Sequence, residues 1–382
     1  YLADSVLRVY DPVTGVVDPV AATQGAVPTS QPLICLYRDR IILAGADHVW
    51  YASRQGDPGD WAFGAEAGDV GKAVAGQVGE AGQIGDVITA VIPVQDSALV
   101  FGSANGLWAL RGDPATGQLE HVSSEHGVIA PDAWAVSPEG VLAFLSNDGV
   151  YLWTAGSRAA PTRFSEERTP GDLRNVDVTD VVTMAYDAVG RGFHLSITPA
   201  AGDGEHWWLD PEHKAIWPTV FQSDHQPTAA SRLKGSGLSH IILGGRDGYL
   251  RKFDESSGTD DSTDIKSHVL IGPIHVAASD ITDALVAELH GMMADMSGTV
   301  TWRLVMGDSA EEATDTAETG VLAAIAGTPI SGVAASGTWS GLRNKVARPR
   351  ARGAWAVIWI EGSGRWAYEA VATVSRQFGR IR

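Results

Sequence analysis

The sequence predicts an all-β protein, and three observations carry that expectation. Apolar runs are short, rich in Val, Ile, Leu and Trp, and bounded by turn residues; 44 Gly and 13 Trp are spread over 382 positions. One strand–turn–strand plan recurs five times between residues 33 and 254. After about residue 262 the pattern changes to longer strands in which apolar and polar residues alternate.

Each repeat reads as an apolar strand, a short turn, a second apolar strand, a Gly/Asp/Asn turn and an aromatic third strand. The five stretches are Leu33 to Ser53, Ile88 to Asp113, Ala133 to Gly156, Val182 to Asp210 and Ala229 to Asp254. Their second turns align at Asp47, Asn105, Asp148, Gly204 and Asp247. Such a unit has room for a four-stranded meander of about 40 to 50 residues, the size of a propeller blade. The start, "SVLRVYDPVTG" from Ser5 to Gly15, matches the third strand and exit turn of the last unit, "GYLRKFDESSG" from Gly248 to Gly258. The expectation is a β-propeller of five or six blades, six favoured, over residues 1–262. Its ring would close by pairing residues 1 to 15 with Gly248–Phe253. A pair of meander sheets without closure is the rival.

"DESSGTDDSTD", Asp254 to Asp264, has no apolar residue and reads as a linker. It lacks the ligand order of a calcium-binding EF-hand loop, so no metal is assigned to it. Residues 263–382 read as a β-sandwich-like platform or interaction domain. Within it, the Gly362-Ser363-Gly364 turn is expected to join two strands as a hairpin. "DSAEEATDTAETGVLAA" is expected to be either a helix or an acidic loop.

Composition narrows function. With 44 % hydrophobic and 19 % charged residues the chain is globular. A net charge of −18 opposes general nucleic-acid binding, which needs clustered cations. The lone Cys35 cannot form an internal disulfide and reads as a small buried hydrophobe. No run of about 18 apolar residues exists, so no membrane insertion is expected. The start has no basic-then-apolar leader pattern and begins within a strand pattern, so residues are expected to precede Tyr1.

No enzyme template is present: there is no H-E-x-x-H, G-x-S-x-G or phosphate-binding G-x-x-x-x-G-K-[ST], and one Cys excludes cysteine-based zinc sets. His194 and His240 stand alone in strands. The acid pairs Asp57/Asp60 and Asp203/Glu205 lie in Gly-rich turns, where Asp serves local backbone hydrogen bonds. We therefore expect no catalytic residue, cofactor or metal. The competing class is a carbohydrate-binding or glycan-cleaving β-propeller. It rests on possible aromatic platforms at Trp207 and Trp208, of which strand alternation exposes at most one.

Two stretches carry a family resemblance. A strand ending in Tyr-x-Ser-Arg runs into x-Gly-Asp-Pro-x-Asp-aromatic; here Tyr51, Ser53, Arg54, Gly56, Asp57, Pro58, Asp60 and Trp61 provide it. The end, Arg343 to Arg382, has an Arg-rich strand start, a Trp-x-x-Glu strand and a late Gly-Arg. Both resemble segments of the tail tubular or tail nozzle proteins of short-tailed bacteriophages. The resemblance implies a structural virion protein, made in the host cytoplasm and built into the tail. It further implies a ring, commonly of six copies, joined to other tail proteins, with DNA passing through as cargo during ejection. The turn at 51–61 is expected to be rigid, with Gly56 and Gly59 allowing positive φ and Pro58 pre-setting its own.

Charge fits an assembly part. Residues 343 to 382 hold nine Lys or Arg against Glu361 and Glu369, while the remainder is strongly acidic. Opposite patches on one chain favour head-to-tail contacts that close into a ring. Arg343, Lys345, Arg348, Arg350 and Arg352 are the candidate inter-subunit or DNA-proximal residues, with apolar support expected from Trp355, Trp359 and Trp366.

Overall fold

The computed structural model describes residues 1–3, 5–64, 68–76, 84–164, 173, 176–235, 238–254, 257–261, 263–279, 282–295, 297–340, 345–364 and 366–381. The protein is nearly all-β, built from many small antiparallel sheets, with one α-helix among the described residues. It divides into two units, Tyr1–Phe253 and Asp254–Arg382. Thr259–Asp260 pairs with Thr263–Asp264 inside the second unit.

Among the described residues of the first unit, six antiparallel sheets follow one another in chain order. The first holds Leu2–Ala3, Val6–Tyr10 and Val17–Pro19. The second holds Leu33–Tyr37, Arg40–Ala44, Trp50–Ala52 and Val74–Gly76; the third, Ile88–Val94, Ala98–Ser103, Leu107–Arg111 and Gln118–Ser123. The fourth holds Trp134–Val136, Val141–Ser146, Gly149–Thr154 and Thr162–Arg163; the fifth, Val181–Asp187, Gly192–Thr198, Glu205–Asp210 and Ala215–Thr219. The sixth holds only Pro227–Gly235, Leu238–Gly245 and Leu250–Lys252.

Neighbouring sheets pack face to face, which explains why their middle strands are apolar on both faces. Every residue of Ala98–Ser103 is buried. Leu99 and Phe101 join a core shared with the second sheet, while Val100 joins one shared with the fourth and fifth. Alternate side chains of one strand thus feed two different cores. Gly102 lies on the Val128 side, where a Cβ would come within 2.6 Å of the valine side chain, so glycine permits that close packing.

The first strands do not take the expected partner. Val6–Tyr10 pairs with Leu2–Ala3 and Val17–Pro19, and among the described residues Leu250–Lys252 pairs only with Leu238–Gly245. Local turn chemistry decides this. The Asp11 carboxylate accepts hydrogen bonds from Val13 N–H at 2.8 Å and the Thr14 hydroxyl at 2.7 Å, and Gly15 supplies φ +70°. A short hairpin closes at far lower entropy cost than pairing across more than two hundred residues.

In the second unit, one sheet has the order Lys266–His275, Trp355–Ser363, Val300–Gly307, Val333–Trp339. A second is centred on Thr282–Met293, flanked by Tyr368–Ile381 on one side and by Lys345–Ala347 and Ala351–Gly353 on the other. Their facing sides share a core that includes Val286, Leu289, Trp302, Leu304 and Ile358. The expected hairpin through Gly362–Gly364 does not form; its two strands enter different sheets. Trp355–Ser363 is buried on both faces, so it requires a central position with a strand on each side.

The Ala- and Glu-rich stretch is a helix, α1, Ala310–Ile325. Ser309 caps it, accepting from Glu312 N–H at 3.1 Å, and Glu311 and Glu312 favour its positive end. Its buried face is Ala313, Ala317 and Gly320, small residues that let the helix lie close to the sheet beneath. Among the described residues no helix is long and apolar enough to cross a membrane.

One buried histidine gives the first unit a pH dependence. His206 is 3 % exposed, and its Nε2 meets Gln226 Oε1. Its Nδ1 has no partner among the described residues. Burial holds its pKa below the usual 6.5, with the Gln226 hydrogen bond opposing this. A depressed folded pKa means the contribution is present above pH 6.5 and is lost as pH falls below it. Unfolding at pH 7.5 and 5.5 should show a drop in stability that shrinks in His206→Asn. An equal drop in the variant would assign the effect to other groups.

Candidate assembly surface

The turn at 51–61 is a closed hydrogen-bonded knot. Arg54 N–H donates to Asp60 O at 3.0 Å, and Gly56 N–H to Asp39 O at 2.9 Å. Asp57 accepts from Gly59 N–H at 2.9 Å and from the Thr23 hydroxyl at 3.0 Å. Asp60, 4 % exposed, accepts from Ala62 N–H at 3.0 Å. Both carboxylates are thus used by the turn itself. Arg54 pairs with Asp69 at 2.8 Å; the Gly71 N–H, then Arg54, holds that carboxyl below its ordinary range.

Gly56 has φ +75°, as its position in the turn requires. Gly59 does not have positive φ; it is needed because a Cβ would lie 2.9 Å from Ala21 O. The Trp61 indole donates to Pro58 O at 2.9 Å, and the ring fills a core with Leu7 and Leu43 between the first and second sheets. Ser53 is buried and accepts from Ile41 N–H, and Tyr51 is half-buried beside Phe63. The family-like residues therefore come together, but mostly face inward: of them, only Gly56 and Pro58 are exposed.

The basic tract is the more accessible feature. Arg343 lies outside the described residues. Lys345–Ala347 and Ala351–Gly353 pair along the same side of Thr282–Met293. Pro349, which has no N–H, and Arg350 at φ +52° interrupt the ladder between them. Val346, Arg348, Arg350 and Arg352 are exposed, while Ala351 and Gly353 are buried. Exposed Met292, Val374 and Arg376 belong to the same sheet.

Arg348 Nε lies 3.5 Å from Glu288 Oε1, on the neighbouring strand. One expectation changes here. The tryptophans do not offer docking surface. Trp359 is fully buried, Trp355 stacks on His275 at 4.5 Å, and Trp366 is half-buried and donates to Ser267 Oγ at 2.7 Å. Met292 at 37 %, Val346 at 53 % and Val374 at 46 % exposure are among the large apolar residues at that surface.

Among the described residues no group of three or more His, Cys, Asp or Glu could hold a metal ion. His194 is a packed residue, edge-on to Phe253 at 4.5 Å. Trp207 and Trp208 are both half-buried. Sequence reasoning missed Arg40, a buried cation described below, because an arginine within an apolar strand gives no signal of its partners.

No family model matches this sequence, and no curated protein is similar to it at a significant level. Solved structures give weak likenesses. The computationally designed Ika8 protein aligns over 66 % of this chain at 16 % identity with a TM-score of 0.39. Two structures of the extracellular domain of BT4673 from B. thetaiotaomicron align over 67 % and 78 %, at 15 % and 14 % identity, with TM-scores of 0.44 and 0.43. The chain spans 65 % of the designed protein and 31 % and 36 % of the BT4673 chains.

Proposed function

We propose that this chain is a structural subunit of the tail of a short-tailed bacteriophage, one copy of a ring through which DNA leaves the particle. In this reading the six consecutive sheets form a β-propeller and the second unit a β-sandwich-like platform. The chain is not a hydrolase. Its partners are further copies of itself, most simply six, and adjoining tail proteins; DNA is cargo and not a bound ligand.

The observation that carries the proposal is the outer surface of the second unit. There Arg348, Arg350 and Arg352 are exposed beside Met292, Val346 and Val374, on a chain of net charge −18. Exposed ion pairs add only about 0.2 to 1 kcal/mol each, so these cations set register and partner choice while apolar contact supplies strength. The phage assignment itself rests on the resemblance of Tyr51–Trp61 and of the C-terminal stretch.

Replacing Arg348, Arg350 and Arg352 together by Glu should abolish assembly, read as a shift to monomer in sedimentation velocity. The circular dichroism spectrum should be unchanged. A triple variant that assembles at the parental level would remove the basic tract from the interface.

A further inference from the structure

The second unit turns two differently charged surfaces outward. Its two sheets share one core, and α1 lies on the outer side of the sheet that holds Trp355–Ser363, against Leu270, Val305 and Val357. Helical spacing sets which side of α1 is left in solvent. Glu311, Asp315, Glu318, Leu322 and Ile325 recur at intervals of four and three residues, opposite the buried Ala313, Ala317 and Gly320, and all five are exposed. The helix contains no Lys, Arg or His, and the carboxylates of Glu311, Asp315 and Glu318 have no ion-pair partner among the described residues. Like charges three and four residues apart repel along that stripe.

The outer side of the other sheet has the reverse charge. Arg352 and Arg376 flank Leu285 in one row across three strands, and Val346 and Ala372 flank His290 in another. Arg348, Arg350, Arg352 and Arg376 are exposed there, whereas Asp283 and Glu288, the acids of the central strand, are half-buried. Cations thus gather toward Leu285, and apolar residues gather toward Met292.

We infer that the basic side of one copy receives α1 of a second copy. The inference rests on the reading that the basic tract is an inter-subunit surface, and it names what that tract meets. The two surfaces lie on the outer sides of different sheets, so they cannot meet within one unit; a second copy can join them. They match in order as well as in sign. Along α1 the acids precede Leu322 and Ile325 over about 21 Å, and along the basic tract Val346 precedes Arg348, Arg350 and Arg352 over at most about 20 Å. Laid antiparallel, the acids face the arginines while Leu322 and Ile325 face Val346 and Met292, so charge sets the register and apolar contact supplies strength. A contact between unlike surfaces repeats from copy to copy.

The test is sedimentation velocity on the intact chain with each surface reversed. Replacing Glu311, Asp315 and Glu318 together by Lys should weaken self-association at least about tenfold, as should replacing Arg348, Arg350 and Arg352 by Glu. An equimolar mixture of the two triple variants, or both triples in one chain, should return association to within about threefold of the parent, because opposite charges face each other again. Asp18→Lys, Asp203→Lys and Glu212→Lys together, at exposed acids of the first unit, change net charge as much and should neither weaken association nor rescue the arginine variant. Lysines near the start of α1 oppose its dipole; if circular dichroism shows that variant unfolded, Leu322→Lys with Ile325→Lys decides and should weaken association equally, since both residues are exposed at the end that favours cations. Loss in the arginine variant with parental assembly in the folded helix variant overturns the inference and leaves the basic tract as an interface to another surface. Loss in both without recovery, or rescue by the first-unit control, also overturns it. Parental assembly in both, or a parent still monomeric at about 0.1 mM, where a micromolar contact would be saturated, removes the inference and the self-association of the tract together.

Discussion

Arg40→Ala is expected to cost the first unit about 3 to 5 kcal/mol of stability, the range for removing one member of a buried charge network. The Arg40 side chain is fully buried. Its Nη1 donates to the carbonyls of Ser53, Gly71 and Lys72 at 2.9, 3.1 and 2.6 Å, and its Nη2 to Val70 O at 2.9 Å. Nη2 and Nε together clasp the Asp113 carboxylate at 3.1 and 3.4 Å. One guanidinium thus ties the second sheet, the loop before Val74 and the turn after Leu107–Arg111. Alanine would remove the guanidinium donors from the Ser53, Val70 and Lys72 carbonyls, while Gly71 O keeps the Gln55 N–H and the Asp113 carboxylate keeps the Ala115 N–H; lysine could not reproduce the planar fork. Guanidinium denaturation followed by tryptophan fluorescence measures the loss. Asp113→Asn, which keeps an acceptor and is partly solvated, should lose less. A loss below about 1 kcal/mol for Arg40→Ala would mean that water replaces the guanidinium without penalty.

Trp359→Ala should destabilise the second unit by about 3 to 5 kcal/mol, as for large-to-small changes in a packed core. The indole is fully buried and donates to His268 Nδ1 at 3.2 Å. Arg303 lies 4.3 Å over its ring while bonding Glu361 at 2.8 and 3.3 Å. On the helix side the ring faces Gly320, where a Cβ would come within 3.0 Å of it, so that position has no side chain to fill the cavity. The two units can unfold in separate transitions, and only the one assigned to the second unit should move. Trp217→Ala, at an exposed position of the first unit, should stay within about 0.5 kcal/mol of the parent. If Trp359→Ala instead left stability intact and weakened association, the residue would belong to an interface.

The strands themselves were legible in the residues. Short Val-, Ile- and Trp-rich runs between turn residues became sheets at the expected places, because burial of alternating side chains and turn geometry are both local properties. The candidate surfaces were legible only in part. Alternation along 345–352 exposes the arginines, but nothing local placed Glu288 beside Arg348. Trp355, Trp359 and Trp366 looked like docking surface only because a sequence does not state which side of a strand a helix or second sheet will cover.

What the sequence determined alone is therefore the class of structure, the succession of meanders and the turn at 51–61, whose hydrogen bonds run mostly between near neighbours. Tertiary structure decided which strands pair across a gap. Residues 1–15 matched the last repeat in pattern, yet Asp11 and Gly15 close a local hairpin that distant pairing must overcome. It also decided that the strands flanking Gly362–Gly364 part company, since Trp355–Ser363 is wanted between two neighbours in one sheet and Tyr368–Ile381 lies along Thr282–Met293 in the other. The Arg40 clasp joins residues far apart in the chain. Such arrangements depend on which sheets stack, a sum of many weak contacts that no short stretch of sequence records.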